Sequence, residues 1–151
     1  MIEQLPDLLL EAIRIDDCRI NLHGIENEVG QTSLHVLYTT ETVLDPPSNR
    51  IIVGANVQYS AGETLLLQLH VDVPFVIPNL SKSYRIEPEN NEIVFRSNLI
   101  PDLLSAVVGT VRGVVATKIH GTRLADYPLP LYSLPLLLEA NQITISETGS
   151  L

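Results

Sequence analysis

Between Thr64 and Ile77 every second residue is large and apolar. Leu65, Leu67, Leu69, Val71, Val73, Phe75 and Ile77 fall on one side of an extended chain, with Thr64, Leu66, Gln68, His70 and Asp72 on the other. Successive side chains of a strand point to opposite faces, so this segment is expected to be one long strand with a wholly apolar face. A fully buried large apolar side chain is worth roughly 1.5 to 3 kcal/mol, which makes that face on the order of 10 to 20 kcal/mol of gross burial before conformational entropy is set against it. Whatever the chain folds into must cover it.

The same period recurs upstream. Ile51, Val53, Ala55, Val57 and Tyr59 share one side of a strand from Ile51 to Ala61, and Ala61-Gly62-Glu63 is short enough to close an antiparallel hairpin onto the first strand. Ser33 to Leu44 also alternates, and Asp45-Pro46-Pro47-Ser48-Asn49 ends it. Ala12 to His23 reads as a further strand in which the apolar parity slips at Asp16-Asp17, the mark of a bulge or bend. A short extra strand is expected near Glu92 to Arg96, after a solvated acidic turn at residues 87–92.

After about residue 95 the periodicity becomes helical. Asn98 as N-cap, Pro101 in the first turn and Asp102 at the positive end of the dipole open one long helix from Leu99 to about His120. Its apolar residues occupy more than one stripe, as expected of a helix covered on two sides. A row of small residues, Ser105, Gly109, Gly113 and Thr117, repeats every fourth position. Glycine inside a helix costs up to about 1 kcal/mol relative to alanine, so the row has two readings: close packing on the chain's own sheet, or a helix-to-helix subunit interface. Ser133 is a candidate N-cap for a second, short helix, Leu134 to Ala140, after a connection carrying Pro128 and Pro130. Residues 141–151 are expected to be a polar end, frayed beyond Ile145.

With 151 residues and no linker between the halves, a single domain is expected. The fold class is α+β: a four-stranded antiparallel sheet followed by one long and one short C-terminal helix. Net charge is −9, from 9 Lys and Arg against 18 Asp and Glu, so a nucleic-acid partner is not expected. Hydrophobic residues make up 45% of the chain and charged ones 18%, an apolar surplus that calls for a partner surface. The segment from Met1 to Ile15 lacks the basic start and long apolar core of a signal peptide, and Arg112 in the middle of the long helix argues against membrane insertion, so a cytoplasmic location is expected.

Catalytic and metal motifs are not found. The four histidines lie in separate elements, and Cys18 has no histidine placed beside it by sequence. His70 and Asp72 share a strand face and could bind a metal or act as base and orienter, but a polar strand surface is the commoner meaning of such a pair. Asp16 and Asp17 would point to opposite faces unless the bulge redirects one of them. Neither enzymatic activity nor a cofactor or metal is expected.

The order of elements resembles that of the SecB family of export chaperones. The resemblance spans about Ile13 to Ala140 and is carried by the strand from Gly62 to Ile77, the helix from Leu99 through Val108-Gly109-Thr110-Val111-Arg112-Gly113, and the run Leu129-Pro130-Leu131 before Ser133. It implies an ATP-independent holdase whose partner is unfolded polypeptide or a specific protein client, working as a homo-oligomer, dimer or tetramer. It implies a client groove lined by Phe75, Ile77, Tyr127, Leu129, Leu131, Tyr132 and Leu134. Ser105, Gly109, Val111, Arg112 and Gly113 would form the oligomer interface. Export chaperones dock the export motor through an acidic sheet surface, whereas here the polar side of the long strand carries Gln68 and His70 with only Asp72 acidic; SecB-like proteins also serve toxin and antitoxin pairs. Two other readings stand beside it: a small-molecule binder or hot-dog-like enzyme, and a structural oligomer without a client.

Overall fold

The computed structural model describes residues 9–10, 12–95, 98–130 and 133–146. In chain order its elements are β1 (Leu9–Leu10), β2 (Arg14–Ile20), α1 (Leu22–Glu28), β3 (Leu34–Asp45), β4 (Arg50–Ala61), β5 (Thr64–Val76), β6 (Tyr84–Ile86), β7 (Ile93–Phe95), α2 (Leu99–Ile119), α3 (Leu134–Ala140) and β8 (Gln142–Ile145).

The alternating strand is β5, and it organises the rest. β4 joins it through the two-residue turn Gly62-Glu63, where Gly62 has φ +58°, a left-handed value that glycine adopts without a Cβ clash. β3 pairs with β4 from Leu34↔Ala61 to Asp45↔Arg50, and a turn of 3-10 helix at Pro46–Ser48 with Asn49 at φ 56° closes that hairpin. β2 runs antiparallel along the free side of β5, and β1 continues the same edge. The expected bulge is present: the register steps from Ile15↔Val71 to Asp17↔His70 and leaves Asp16 without a partner.

The inner face of the sheet is the apolar one. Ile51, Val53, Ala55, Val57 and Tyr59 of β4 and Leu67, Leu69, Val71, Val73 and Phe75 of β5 are buried. α2 covers them with Leu99, Ile100, Leu103, Leu104, Val107, Val111, Val115 and Ile119, one row at helical spacing. By length and composition α2 could cross a membrane, but this row is spent on the chain's own sheet. α3 lies against α2 and β3.

Four features correct or refine the sequence expectations. The sheet is not four antiparallel strands: β8 adds a further position, parallel to β3, from Glu41↔Gln142 to Leu44↔Ile145. The hydroxyls of Thr40 and Thr42 both donate to Asn141 Oδ1, at 3.0 and 3.1 Å, and fix the chain where α3 gives way to β8. The first strand ends at Ile20 rather than His23, because Asn21 caps a new helix, α1, by accepting from the Gly24 N–H at 2.9 Å. The alternation of β5 slips at its start, so that Leu66 is fully buried while Leu65 is exposed. Lastly, the strand near residue 93 pairs with β6 in a separate two-stranded ribbon, closed across the acidic turn by the Glu87 N–H donating to the Glu92 carbonyl. Residues 147–151 lie outside the described residues.

Replacing Asn141 by alanine removes the acceptor of two part-buried hydroxyls and is expected to cost about 1 to 3 kcal/mol. Amide exchange should accelerate at Ile143 and Ile145 ahead of the rest of the sheet; unchanged protection there would show that β8 is held by its ladder alone.

Candidate functional site

An α-helix is about 10 Å across and neighbouring strands stand about 4.8 Å apart, so one helix shields about two strands. α2 shields β4 and β5, α3 attends to β3, and among the described residues the inner side of β2 is left open. Ile15, Cys18 and Ile20 pair with Val71, Leu69 and Leu67, all on the buried side of β5, so they extend the apolar layer past the cover of α2. Ile15 is 42% exposed and Ile20 38%, with Ile13 similarly open at one end and Leu22 more so at the other. Cys18 is exposed. This strip is the largest departure from what sequence alone placed; its signal was the parity slip that set Cys18, Ile20 and Leu22 in phase with one another.

At the Leu22 end a cleft of about 240 Å³ is lined by Leu22, Ile25, Glu26, Gly121, Thr122 and Arg123. It lies where α1 meets the connection between α2 and α3. That connection is firmly held: the Arg123 guanidinium donates to the Glu26 carbonyl at 2.9 Å, the Tyr59 hydroxyl donates to the Tyr127 carbonyl at 3.0 Å, and Leu124 and Leu129 are buried anchors.

The groove residues expected from sequence divide accordingly. Phe75, Ile77 and Leu129 are enclosed by their own chain, Leu134 is half-buried, and Tyr127 is exposed. Leu131 and Tyr132 lie outside the described residues. The expected interface residues divide too. Ser105, Gly109 and Gly113 face outward and Arg112 is half-buried, whereas Val111 is fully buried on the opposite side of α2. A Cβ built on Gly109 or Gly113 meets nothing within 4 Å outside the helix itself, so close packing on the chain's own sheet is not what these glycines serve. Apolar residues on more than one stripe led us to expect a helix covered on two sides; among the described residues the sheet covers one side, α3 lies beside it, and Val108 and Val114 stay half-buried.

The outer face of the sheet is polar, and the bulge shapes its chemistry. Asp17 turns to this face, accepting from Gln68 Nε2 at 3.2 Å and from Arg19 Nε at 3.3 Å. Asp16 reaches Arg14, whose Nε lies 3.3 Å from Asp16 Oδ1. His70 stands between Asn56 and Asp72, its Nδ1 2.7 Å from Asn56 Oδ1 and its Nε2 3.0 Å from Asp72 Oδ1. Desolvation, followed by the hydrogen bond with Asp16, raises the Asp72 pKa above its ordinary value, while that same hydrogen bond is the main cause holding Asp16 below its own.

No family model and no curated protein matches the chain. Among solved structures it is similar to a SecB-like chaperone of Mycobacterium tuberculosis, solved in complex with a ChAD peptide from the HigA1 antitoxin, at TM-score 0.52 and 11% identity over 83% of this chain and 90% of that one. A protein of unknown function from Streptococcus agalactiae aligns over 86% of this chain and 99% of its own at TM-score 0.36 and 14% identity. The first of these likenesses shows a shared fold.

Tyr59→Phe deletes the hydrogen bond that ties the connection to the sheet and is expected to cost about 0.5 to 1.5 kcal/mol by denaturant unfolding. Leu124→Ala, which empties a fully buried anchor in the same connection, should cost about 2 to 5 kcal/mol. Equal losses would mean that the hydroxyl holds the connection as strongly as its packing does.

Proposed function

We propose that this chain is a non-enzymatic, ATP-independent holdase of the cytoplasm that binds unfolded or partner polypeptide as a homo-oligomer. The observation that carries this reading is the open strip Ile15, Cys18 and Ile20, an apolar layer that the chain extends beyond its own cover. A soluble strand edge is ordinarily blunted by charge or proline on such a face. Here charge is confined to the other face, in Arg14, Asp17 and Arg19. The shared fold with a SecB-like chaperone that binds an antitoxin peptide supports the same reading.

Two surfaces divide the work. The outer side of α2, with Ser105, Gly109, Arg112 and Gly113, takes a second subunit, because a row without side-chain bulk admits another backbone at close range. The client lies along β2 toward the Leu22 cleft and the connection bearing Tyr127, where the strip ends. Phe75, Ile77 and Leu129 are buried in the chain's own core and do not line this surface. Val111 supports folding rather than assembly, since its side chain packs on the chain's own sheet.

The direct assay is light scattering from an aggregating denatured protein, diluted with equimolar purified chain and no nucleotide. Suppression is expected, and the double variant Ile15→Ser, Ile20→Ser should weaken it severalfold while leaving the fold intact, because both residues are exposed. Absence of suppression from the folded wild type would favour a structural oligomer without a client. Assembly is tested separately. Gly113→Glu finds open space on the protomer, so it should lower the solution mass to the 16.6 kDa chain without unfolding it; an unchanged mass would remove this helix face from the interface.

A further inference from the structure

The polar face of the sheet holds an arrangement that client binding does not use. His70 and Asp72 stand on the same side of β5, and the unpaired bulge residue Asp16 is brought to them from β2. One donor atom from each, an imidazole nitrogen and two carboxylate oxygens, all lie within 4.8 Å of one another. Bonds of about 2.0 to 2.2 Å meeting at one ion place neighbouring donors about 3 to 3.5 Å apart, and His70 Nε2 and Asp72 Oδ1 are 3.0 Å apart.

The imidazole makes this more than an acidic patch. Asn56 Oδ1, an acceptor, sits 2.7 Å from His70 Nδ1 and fixes the ring so that Nε2 faces Asp72 Oδ1 at 3.0 Å. An outer-shell acceptor of this kind orients a metal-binding histidine, and an ion at Nε2 would take the place of the proton that Nε2 shares with Asp72. Ligand atoms from three side chains thus converge on one space. Arg14 braces the carboxylates, with Nη2 3.6 Å from Asp72 Oδ2 and Nε 3.3 Å from Asp16 Oδ1. On the other side lies Gly54, where a Cβ would stand 3.2 Å from both Asp72 Oδ1 and Glu41 Oε1. The missing side chain lets Glu41 lean toward the same space from β3. His70 and Asp72 are half-buried and Asp16 exposed, which leaves an approach from solvent.

We propose that Asp16, His70 and Asp72 bind one divalent transition-metal ion of the zinc class through His70 Nε2 and the two carboxylates. Water completes the coordination, and Glu41 lies across the row as an outer carboxylate. One imidazole with two carboxylates suits zinc better than calcium or magnesium, which favour all-oxygen sites. The ion joins the edge strand to the sheet at the one place where the ladder between β2 and β5 is broken, on the face opposite the apolar strip.

The test titrates the EDTA-treated, dialysed full chain with zinc chloride by calorimetry, and with cobalt chloride by visible absorption. One ion per chain is expected. Asp16→Asn and His70→Gln should each weaken binding by about 10-fold or more, whereas His35→Gln, an exposed histidine on β3, should leave it unchanged. Zinc should also slow amide exchange in Arg14–Ile20 in the wild type and in neither site variant. Three results would overturn the proposal: no binding, binding that both site variants retain, or binding abolished by His35→Gln. Circular dichroism of the two near-isosteric variants keeps loss of binding distinct from loss of fold, and none of these readouts depends on client binding.

Discussion

A sheet with one apolar face needs a cover as wide as itself, and a single helix is only about two strands wide. Most of this architecture follows from that mismatch. α2 spends its whole inner row on β4 and β5, α3 reaches β3, and β8 extends the sheet beyond β3. Among the described residues β2 has no such cover, so its inward side chains stay open although their register partners are fully buried. An excess of apolar residues thereby becomes a surface.

The two faces of β2 carry different chemistry because of one inserted residue. Without the bulge, strict alternation would send Asp17 inward among the isoleucines and leave Asp16 alone outside. With it, both carboxylates serve the polar face and Cys18 and Ile20 return to the apolar one. The same insertion therefore keeps charge off the open strip, at the position where Asp16 meets His70 and Asp72. Bulges often accompany functional positions for this reason: they re-aim side chains without altering the rest of the ladder.

The strands were legible where period-two alternation ran long, as in β3, β4 and β5, and the bulge was legible as a slip in parity at Asp16-Asp17. What the slip does was not, because the direction of Asp16 depends on its register against His70, more than fifty positions away. β8 escaped for a related reason. Gln142-Ile143-Thr144-Ile145 offers only two apolar residues, and it is held through Asn141 by Thr40 and Thr42, a pairing without local signal. α1 did have a signal in Leu22, Ile25 and Val29 at helical spacing, masked by reading the preceding strand three residues too far. The row Ser105, Gly109 and Gly113 was plain, but only the packed helix shows that it faces away from the chain's own sheet. Of the expected groove, the sequence pattern identified apolar residues without separating those that fill the core, such as Ile77, from those that remain open, such as Tyr127.

The central claim is that unfolded polypeptide lies along the open inner face of β2. It is tested most directly by amide exchange of the assembled protein with and without a permanently unfolded polypeptide. The account predicts added protection in Arg14–Ile20 and in the connection around Tyr127, with the β3–β4 ladder unchanged. Binding that leaves Arg14–Ile20 unprotected would contradict it.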